Sequence, residues 1–146
     1  MKPNIIVGVL LACGAGQVMA ACATPALSAS QISALLENPP PGKYACASRV
    51  AGGNDKWNEL HQAGIITDYK KGPGDPIDPT KVMGTYTINN NGGNNLDTIT
   101  YNYGTGGSYT YSIKSTGAST GNAFHFCNIQ TFELILVVVQ ANPTPC

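Results

Sequence analysis

The clearest pattern in the chain is a two-residue alternation of apolar and polar side chains across its second half. Five segments there resemble strands, at residues 82–89, 97–103, 108–114, 123–127 and 132–140, and all but the last show the alternation. Stretches rich in glycine, asparagine and serine separate these segments at regular spacing. Short strands joined by such turns predict an antiparallel β-meander, because a period of two is typical of strands that bury one face.

The alternation also predicts which side chains face the core. The apolar face comprises Tyr86, Ile88, Ile99, Tyr101, Tyr103, Tyr109, Tyr111 and Ile113. Thr85, Thr87, Thr98, Thr100, Asn102, Thr110 and Ser112 form the opposite, solvent-facing side. Tyrosine hydroxyls are unfavourable in a dry interior without partners, so five of them on one face predict a partly open sheet with a cleft. The segment 132–140 is apolar on both faces, which predicts that it is covered on both sides.

The first half of the chain predicts one helix and three short extended segments. Ile32, Leu35 and Leu36 recur at helical spacing within 27–37, and three consecutive prolines follow at 39–41. Residues 43–48, 57–61 and 65–70 are brief strand candidates, and the prolines and glycines of 72–79 predict a loop. The predicted fold is therefore mainly β (α+β). One N-terminal helix packs on a twisted antiparallel meander of five to seven strands, either open or as a partly open barrel.

One short motif resembles a known family. Gly84-Thr85-Tyr86 opens the meander and is similar to the Gly-x-Trp sequence that begins lipocalin-like barrels, with Tyr in place of Trp. The resemblance implies a barrel-like shape and no particular function. The number of strand candidates predicts that such a barrel is not fully closed.

The first twenty residues predict export. A single lysine, Lys2, precedes an apolar stretch at 5–18, and Val18-Met19-Ala20 provides a signal-peptidase site with cleavage after Ala20. Residues 21–146 then form one secreted or periplasmic domain, without a second apolar run long enough to span a membrane. A lipoprotein, with Cys13 or Cys22 as the lipidated residue, is the less favoured alternative.

Four cysteines remain after cleavage, Cys22, Cys46, Cys127 and Cys146, and an even number in an exported chain predicts two disulfides. Three pairings are possible. If 123–127 and 132–140 form a hairpin, Cys146 starts from the far end of the second strand, and a bond to Cys127 is hard to close. We therefore expect Cys46–Cys127 and Cys22–Cys146.

Composition excludes several classes of function. The net charge is zero and 11 % of residues are charged, which argues against a nucleic-acid-binding protein. No nucleophile, zinc, phosphate-loop or dinucleotide motif is present, so the sequence favours a non-enzymatic protein without cofactors. The acidic residues Asp68, Asp75 and Asp78 do not have the spacing of a calcium loop, and no metal is predicted.

Two groups of residues are candidates for binding. The first is the rim segment, which gathers charged and aromatic side chains within fifteen residues: Trp57, Glu59, His61, Asp68, Tyr69 and Lys70. On a strand, Trp57, Glu59 and His61 share one face. The second group is the tyrosine face, represented by Tyr101, Tyr103, Tyr109 and Tyr111. Both groups are also explained by ordinary structural roles, in which Trp57 closes the core and the tyrosine hydroxyls reach water at its edge.

Three functions compete at this level. The leading hypothesis is an exported binding or interaction protein whose partner is an unknown small ligand, a glycan or an envelope protein. The second is a self-associating subunit of a surface fibre or matrix, suggested by low charge and a long apolar last strand. The third is a small hydrolase that uses Glu59, His61 and Asp68, which requires their side chains to converge on one substrate.

Overall fold

A computed structural model describes residues 25–39, 42–48, 56–68, 81–92, 96–117 and 121–141, with the side chains of 48, 56, 57 and 68 outside the description. The described chain forms a helix α1 and eight strands that close into an antiparallel barrel in sequence order. The bounds are α1 Ala29–Glu37, β1 Lys43–Ser48, β2 Lys56–Gln62, β3 Ile65–Asp68, β4 Lys81–Asn89, β5 Thr98–Asn102, β6 Ser108–Ser115, β7 Ala123–Asn128 and β8 Leu134–Gln140.

The mainly β class, the single helix and the antiparallel meander are confirmed, but the predicted strand number and partial opening are wrong. The three short segments of the first half all enter the sheet, so the barrel has eight strands. Closure comes from β1, which pairs with β2 on one side and with β8 on the other. Ala45 lies opposite Val139 in this last pairing, and Ala47 opposite Val137. The Gly84–Tyr86 motif consequently lies within the fourth strand and does not begin the sheet.

The helix covers the end of the barrel at which β1 and β5 begin. Ser28 and Gln31 form a capping box at its N-terminus, where the Ser28 side chain accepts from the Gln31 backbone and the Gln31 side chain accepts from the Ser28 backbone. Ile32 and Leu36 are fully buried on the face that packs against β1, β2, β4 and β5. The Leu27 amide donates to the Ile113 carbonyl at 2.7 Å, which joins the start of the helix to β6. This end of the barrel is therefore filled by apolar side chains.

The inward-facing residues follow the alternation that the sequence predicts. Along β4 to β6, Tyr86, Ile99, Tyr101 and Ile113 are buried, and Ile88, Tyr103 and Tyr111 pack against them. The strand β8 is buried on its inward face, through Ile135, Val137 and Val139, whereas the outward Val138 is 37 % exposed. The expectation that β8 is fully covered on both faces is therefore wrong at Val138. The closed barrel supplies the inner cover, and the helix packs chiefly on other strands.

The strand register separates two of the cysteines. Cys46 on β1 lies opposite Val138, and Cys127 on β7 lies opposite Leu134, on the other side of β8. Two strand spacings and four residues along β8 place their Cα atoms roughly 15 Å apart, whereas a disulfide needs at most about 7 Å. No disulfide is found at bonding distance within the described residues, so the expected Cys46–Cys127 bond is not supported. Cys22 and Cys146 lie outside the described residues.

In the part of the chain that the structure describes, no helix has the length and apolar character needed to cross a membrane. The predicted signal peptide and its cleavage site after Ala20 lie outside these residues.

Candidate functional site

A cavity lies at the end of the barrel opposite the helix, and we call it the mouth cavity. It has a volume of about 290 Å³. The described residues that line it are Glu59, Tyr103, Tyr109, Tyr111, Asn128, Thr131, Glu133 and Ile135. In an up-and-down barrel alternate connections lie at the same end, so the ends of β5 and β7 and the starts of β6 and β8 meet there. The helix packs over the other end.

A smaller space of about 40 Å³ continues from the mouth cavity toward the core. Both spaces share Glu59, Tyr103, Tyr111 and Ile135 as lining residues. The inner one adds the buried residues Ala45, Tyr101 and Phe126. The cavity thus narrows from a polar, partly exposed rim to an apolar floor, as small-molecule sites commonly do.

Tyrosine rings form much of the cavity wall. Tyr103 stacks on Tyr101 at a centroid distance of 6.2 Å, and Tyr101 meets Tyr111 edge to face at 5.8 Å. The Tyr109 ring lies 6.1 Å from that of Tyr103 with the planes inclined by 60°, and Tyr109 is 40 % exposed at the rim. Alternation of side chains brings these rings to one inner surface, because Tyr101, Tyr109 and Tyr111 lie on the paired strands β5 and β6, and Tyr103 directly follows β5 two residues after Tyr101.

Glu59 is the acidic residue that joins β2 to this tyrosine wall. The hydroxyl of Tyr103 donates to its carboxylate and lies 2.9 and 3.0 Å from the two oxygens. A carboxylate has about four acceptor sites, and this hydrogen bond helps to fix the Glu59 side chain against Tyr103. Glu59 is half-buried and lines both the outer and the inner space, which makes it the central polar group of the site.

The connection between β7 and β8 supplies the other polar side of the mouth cavity. The side-chain oxygen of Asn128 accepts from the backbone amides of Gln130 and Thr131 at 2.9 and 3.0 Å, which shapes the turn. Burial raises the pKa of Tyr111, a hydrogen bond from Asn128 opposes this, and the charge of Glu133 adds to the increase. The carboxylate of Glu133 therefore acts on the same hydroxyl that lines the cavity.

His61 lies inside the barrel, beneath the site. It is fully buried, and its Nε2 lies 2.9 Å from the Tyr101 hydroxyl. Its Nδ1 is 3.2 Å from the Glu59 carbonyl, which only accepts, so Nδ1 carries the proton and Nε2 accepts from Tyr101. Loss of hydration on burial lowers the pKa of His61 to about 4. His61 is consequently a neutral structural group of the core, and it is not among the described residues that line the mouth cavity.

The two candidate groups from the sequence meet at Glu59 and Tyr103. Tyr103, Tyr109 and Tyr111 line the mouth cavity and Tyr101 lines the inner space. Glu59 and His61 share the inward face of β2 as the alternation predicts, but only Glu59 reaches the cavity. The backbones of Trp57 and Asp68 lie on β2 and β3, while their side chains, and all of Tyr69, Lys70, Asp75 and Asp78, lie outside the description.

Sequence reasoning missed the side of the site formed by Asn128, Thr131, Glu133 and Ile135. The sequence predicts a turn at 128–131 but not its proximity to Tyr103 and Tyr111. The register supplies this link, because Tyr111 lies directly opposite Asn128. The available signal is the even number of strands, β6 and β7, between the β5–β6 turn and the β7–β8 turn, which places both turns at one end of any up-and-down meander.

Within the described residues, no group of three or more His, Cys, Asp or Glu side chains has an arrangement that could hold a metal ion. Comparison with protein-family models, with curated proteins and with solved structures finds no significant match to this chain.

Proposed function

We propose that this protein is an exported, non-enzymatic binding protein that holds a small ligand in the mouth cavity. The observation that carries the proposal is the difference between the two barrel ends. Apolar helix side chains fill one end, while the other opens into a cavity walled by tyrosines and two glutamates. Export rests on the predicted signal peptide at 1–20.

The size and chemistry of the mouth cavity favour a small ligand over a protein partner. A volume of about 290 Å³ lies at the lower end of the usual range for small-molecule pockets. Aromatic walls with a few convergent polar groups are typical of such pockets. The lining residues are held by hydrogen bonds and ring contacts, such as those of Tyr103 to Glu59 and Tyr101, so the site is largely pre-formed.

The geometry gives less support to the two alternative functions. Edge-to-edge assembly into a fibre needs a free strand edge, and each of the eight described strands is paired on both sides. A hydrolase built on Glu59, His61 and Asp68 needs a histidine that reaches substrate, whereas His61 is fully buried and bonded to Tyr101.

A blocking substitution at the rim tests the proposal. Thr131 is exposed and lines the mouth cavity, so Thr131→Trp fills the opening without disturbing the core. Thr87→Trp is the matched control, because Thr87 is exposed on the outer face of β4. The probes are benzyl alcohol, benzyltrimethylammonium, octanoate and methyl glucoside, each at millimolar concentration, and the measurement is the thermal midpoint Tm.

A ligand that binds only the folded state raises Tm by mass action. We expect at least one probe to raise the Tm of the native chain and of Thr87→Trp, but not that of Thr131→Trp. The proposal fails if no probe changes Tm, or if Thr131→Trp responds as strongly as the native chain.

A further inference from the structure

We propose that the two cysteines of the barrel wall are cross-linked to the cysteines that precede α1 and follow β8. Cys127 forms a disulfide with Cys22, and a second disulfide joins Cys46 to Cys146. Neither Cys46 nor Cys127 titrates as a thiol in this structure, as is the case for cysteines in disulfides. They are the two cysteines of the described residues, and the register holds them apart, so the partner of each lies in the chain outside that description.

The first argument is the burial of Cys127 on the outer face of the barrel. Phe124 and Phe126 occupy inward positions of β7, so the alternation turns Cys127 outward. Its side chain is nevertheless only 1 % exposed, and that of Ser112, its partner on β6, is 2 % exposed. Leu134, the partner on β8, is only partly buried. The cover over Cys127 therefore extends further toward β6 than toward β8.

The chain that enters α1 lies on the β6 side of Cys127. The Leu27 amide donates to the Ile113 carbonyl, and Ile113 lies opposite Phe126, the neighbour of Cys127. These spacings place the Cα atoms of Leu27 and Cys127 roughly 10 Å apart, whereas the five residues from Cys22 to Leu27 span up to about 17 Å. Cys22 therefore reaches Cys127 without full extension of the chain, and its segment supplies the cover over β6 and β7.

The second argument is the position of Cys46 at the seam where β1 closes the barrel against β8. Cys46 lies opposite Val138, two residues before the end of β8 at Gln140. The Cα atoms of Cys46 and Gln140 are therefore roughly 8 Å apart, and the six residues from Gln140 to Cys146 span up to about 20 Å. Cys146 thus reaches Cys46 when the chain turns back over the seam.

The exchanged pairing, Cys22–Cys46 with Cys127–Cys146, fits the barrel poorly. From the start of α1, Cys46 lies roughly 20 Å away over the barrel surface, which requires a fully extended chain from Cys22. Cys146 reaches Cys127 only if the chain runs back along most of β8. That path crosses the outward Val138, which is 37 % exposed.

The two disulfides hold the two places at which the fold depends on contacts between distant segments. The first ties the chain before α1 to β7, next to the Leu27 contact with β6. There the Asp97 carboxylate also accepts from the Ala29 amide at 2.8 Å. The second spans the β1–β8 pairing that closes the sheet. The first bond therefore keeps α1 on the barrel end, and the second keeps the barrel closed.

Each bond requires an oxidant, and a disulfide donor of an oxidising compartment is the chemical class that supplies it. One cysteine thiolate attacks the donor disulfide, and the partner thiolate then breaks the mixed disulfide. The new S–S bond joins the two protein sulfurs. The donor leaves as a dithiol that has taken up the two electrons and the two protons.

Peptide mapping of the protein refolded with oxidised and reduced glutathione reads the pairing without dependence on export. Cys13→Ser is introduced throughout, so that the map does not depend on removal of residues 1–20. Digestion at mildly acidic pH limits thiolate exchange. Trypsin with a glutamate-specific protease separates the four cysteines: Cys22 lies on the peptide that ends at residue 37, Cys46 on 44–49, Cys127 on 115–133 and Cys146 on 134–146.

We expect the peptide that ends at residue 37 to be linked to 115–133, and 44–49 to be linked to 134–146. The exchanged links, a link between 44–49 and 115–133, or four free thiols would overturn the inference. None of these results depends on the mouth cavity, whose binding function is tested separately by Thr131→Trp.

Hydrogen exchange tests what each bond holds in place. The double variant Cys22→Ala, Cys127→Ala should exchange the amides of α1 about tenfold faster than the native protein, with a smaller change in β1 and β8. The double variant Cys46→Ala, Cys146→Ala is the matched control, because it also removes two sulfurs, and it should show the reverse pattern. Unchanged exchange of α1 in the first variant, or the same pattern in both variants, would contradict the assigned roles.

Discussion

Polar side chains inside the barrel are stabilised by partners from the N-terminal elements. The hydroxyl of Tyr86 donates to Glu37 of α1 at 2.7 Å, that of Tyr101 to His61 of β2, and that of Tyr103 to Glu59. The expectation that the tyrosine hydroxyls simply reach water is therefore wrong for these three. Their acceptors lie 40 to 49 residues away in sequence, which is why local patterns reveal the tyrosines but not their partners.

The buried His61 should lower the free energy of unfolding as the solution becomes weakly acidic. Its pKa is about 4 in the folded protein and 6.5 in the unfolded chain. Between these values the unfolded chain binds the proton and the folded protein does not, so a falling pH favours unfolding. We expect His61 to account for a loss of about 3 kcal/mol in the free energy of unfolding between pH 6.5 and pH 4.

Urea unfolding at half-unit pH steps measures this loss. His61→Gln should show a smaller decrease over the same range, because it retains an acceptor for Tyr101 but does not titrate. His125→Gln removes the chain's other histidine and keeps His61 in place, so it should follow the native protein. Identical pH profiles for the native chain and His61→Gln would show that His61 does not make this contribution.

At the scale of elements, periodicity predicts the strands well and their pairing less well. The segment Lys43–Ser48 is predicted with its observed bounds, and the predicted helix at 27–37 differs from Ala29–Glu37 by its first two residues. The segments 57–61 and 65–70 are predicted only as brief strand candidates, whereas Lys56–Gln62 and Ile65–Asp68 are strands of the barrel. Strand pairing over long distances is not encoded in any local window, so the number of strands in the sheet was underestimated.

The loop of the β2–β3 hairpin contains a residue whose substitution should stabilise the protein. Ala63 and Gly64 form its two-residue loop with φ angles of 48° and 79°, as a type I′ turn requires. A left-handed conformation costs alanine roughly 1–2 kcal/mol, and asparagine tolerates it better. We expect Ala63→Asn to raise the free energy of unfolding by about 0.5–1 kcal/mol. Urea denaturation of the native chain and the variant measures this difference.

Gly64→Ala, in the same two-residue loop, is the matched substitution that should destabilise the protein. Its added methyl group meets only the Tyr86 carbonyl at 3.5 Å, an ordinary contact, so the cost comes from the positive φ. We expect it to lower the free energy of unfolding by about 1 kcal/mol. Destabilisation by Ala63→Asn, or no effect of Gly64→Ala, would mean that the hairpin adopts another turn in solution.

The register of β1, β8 and β7 makes a prediction about cross-links. Because Cys46 and Cys127 lie on strands separated by β8, a bond between them would break the barrel register. If the exported chain contains two disulfides, each of these residues must therefore pair with Cys22 or Cys146. Mass spectrometry of non-reduced peptides identifies the pairs, and a Cys46–Cys127 peptide in the native protein would contradict the register.

At the scale of the whole molecule, the closing of the sheet into a barrel brings the residues of the mouth cavity together. The alternation predicts the tyrosine face, and the clustering of charge predicts Glu59, but neither predicts that the two come together. Pairing of β1 with β8 joins the two halves of the chain and brings Glu59 and Ile135 to the same cavity. The helix packs at one end of the barrel, and described residues at the opposite end form the mouth cavity.

The export prediction is tested by the intact mass of the mature protein. Expression of the full chain with its own first twenty residues should yield a secreted or periplasmic protein that begins at Ala21, as cleavage after Ala20 requires. A mass that retains residues 1–20, or a lipid attached to Cys22, would contradict this form of export.

NMR chemical-shift mapping of the native chain during titration with benzyltrimethylammonium, benzyl alcohol and methyl glucoside tests the mouth cavity most directly. We expect the probe with the highest affinity to shift the backbone amides of Glu59, Tyr103, Tyr111 and Glu133, while those of Ala29–Glu37 do not move. Changes concentrated on the helix or on the outer faces of the strands, or no change with any probe, would contradict it.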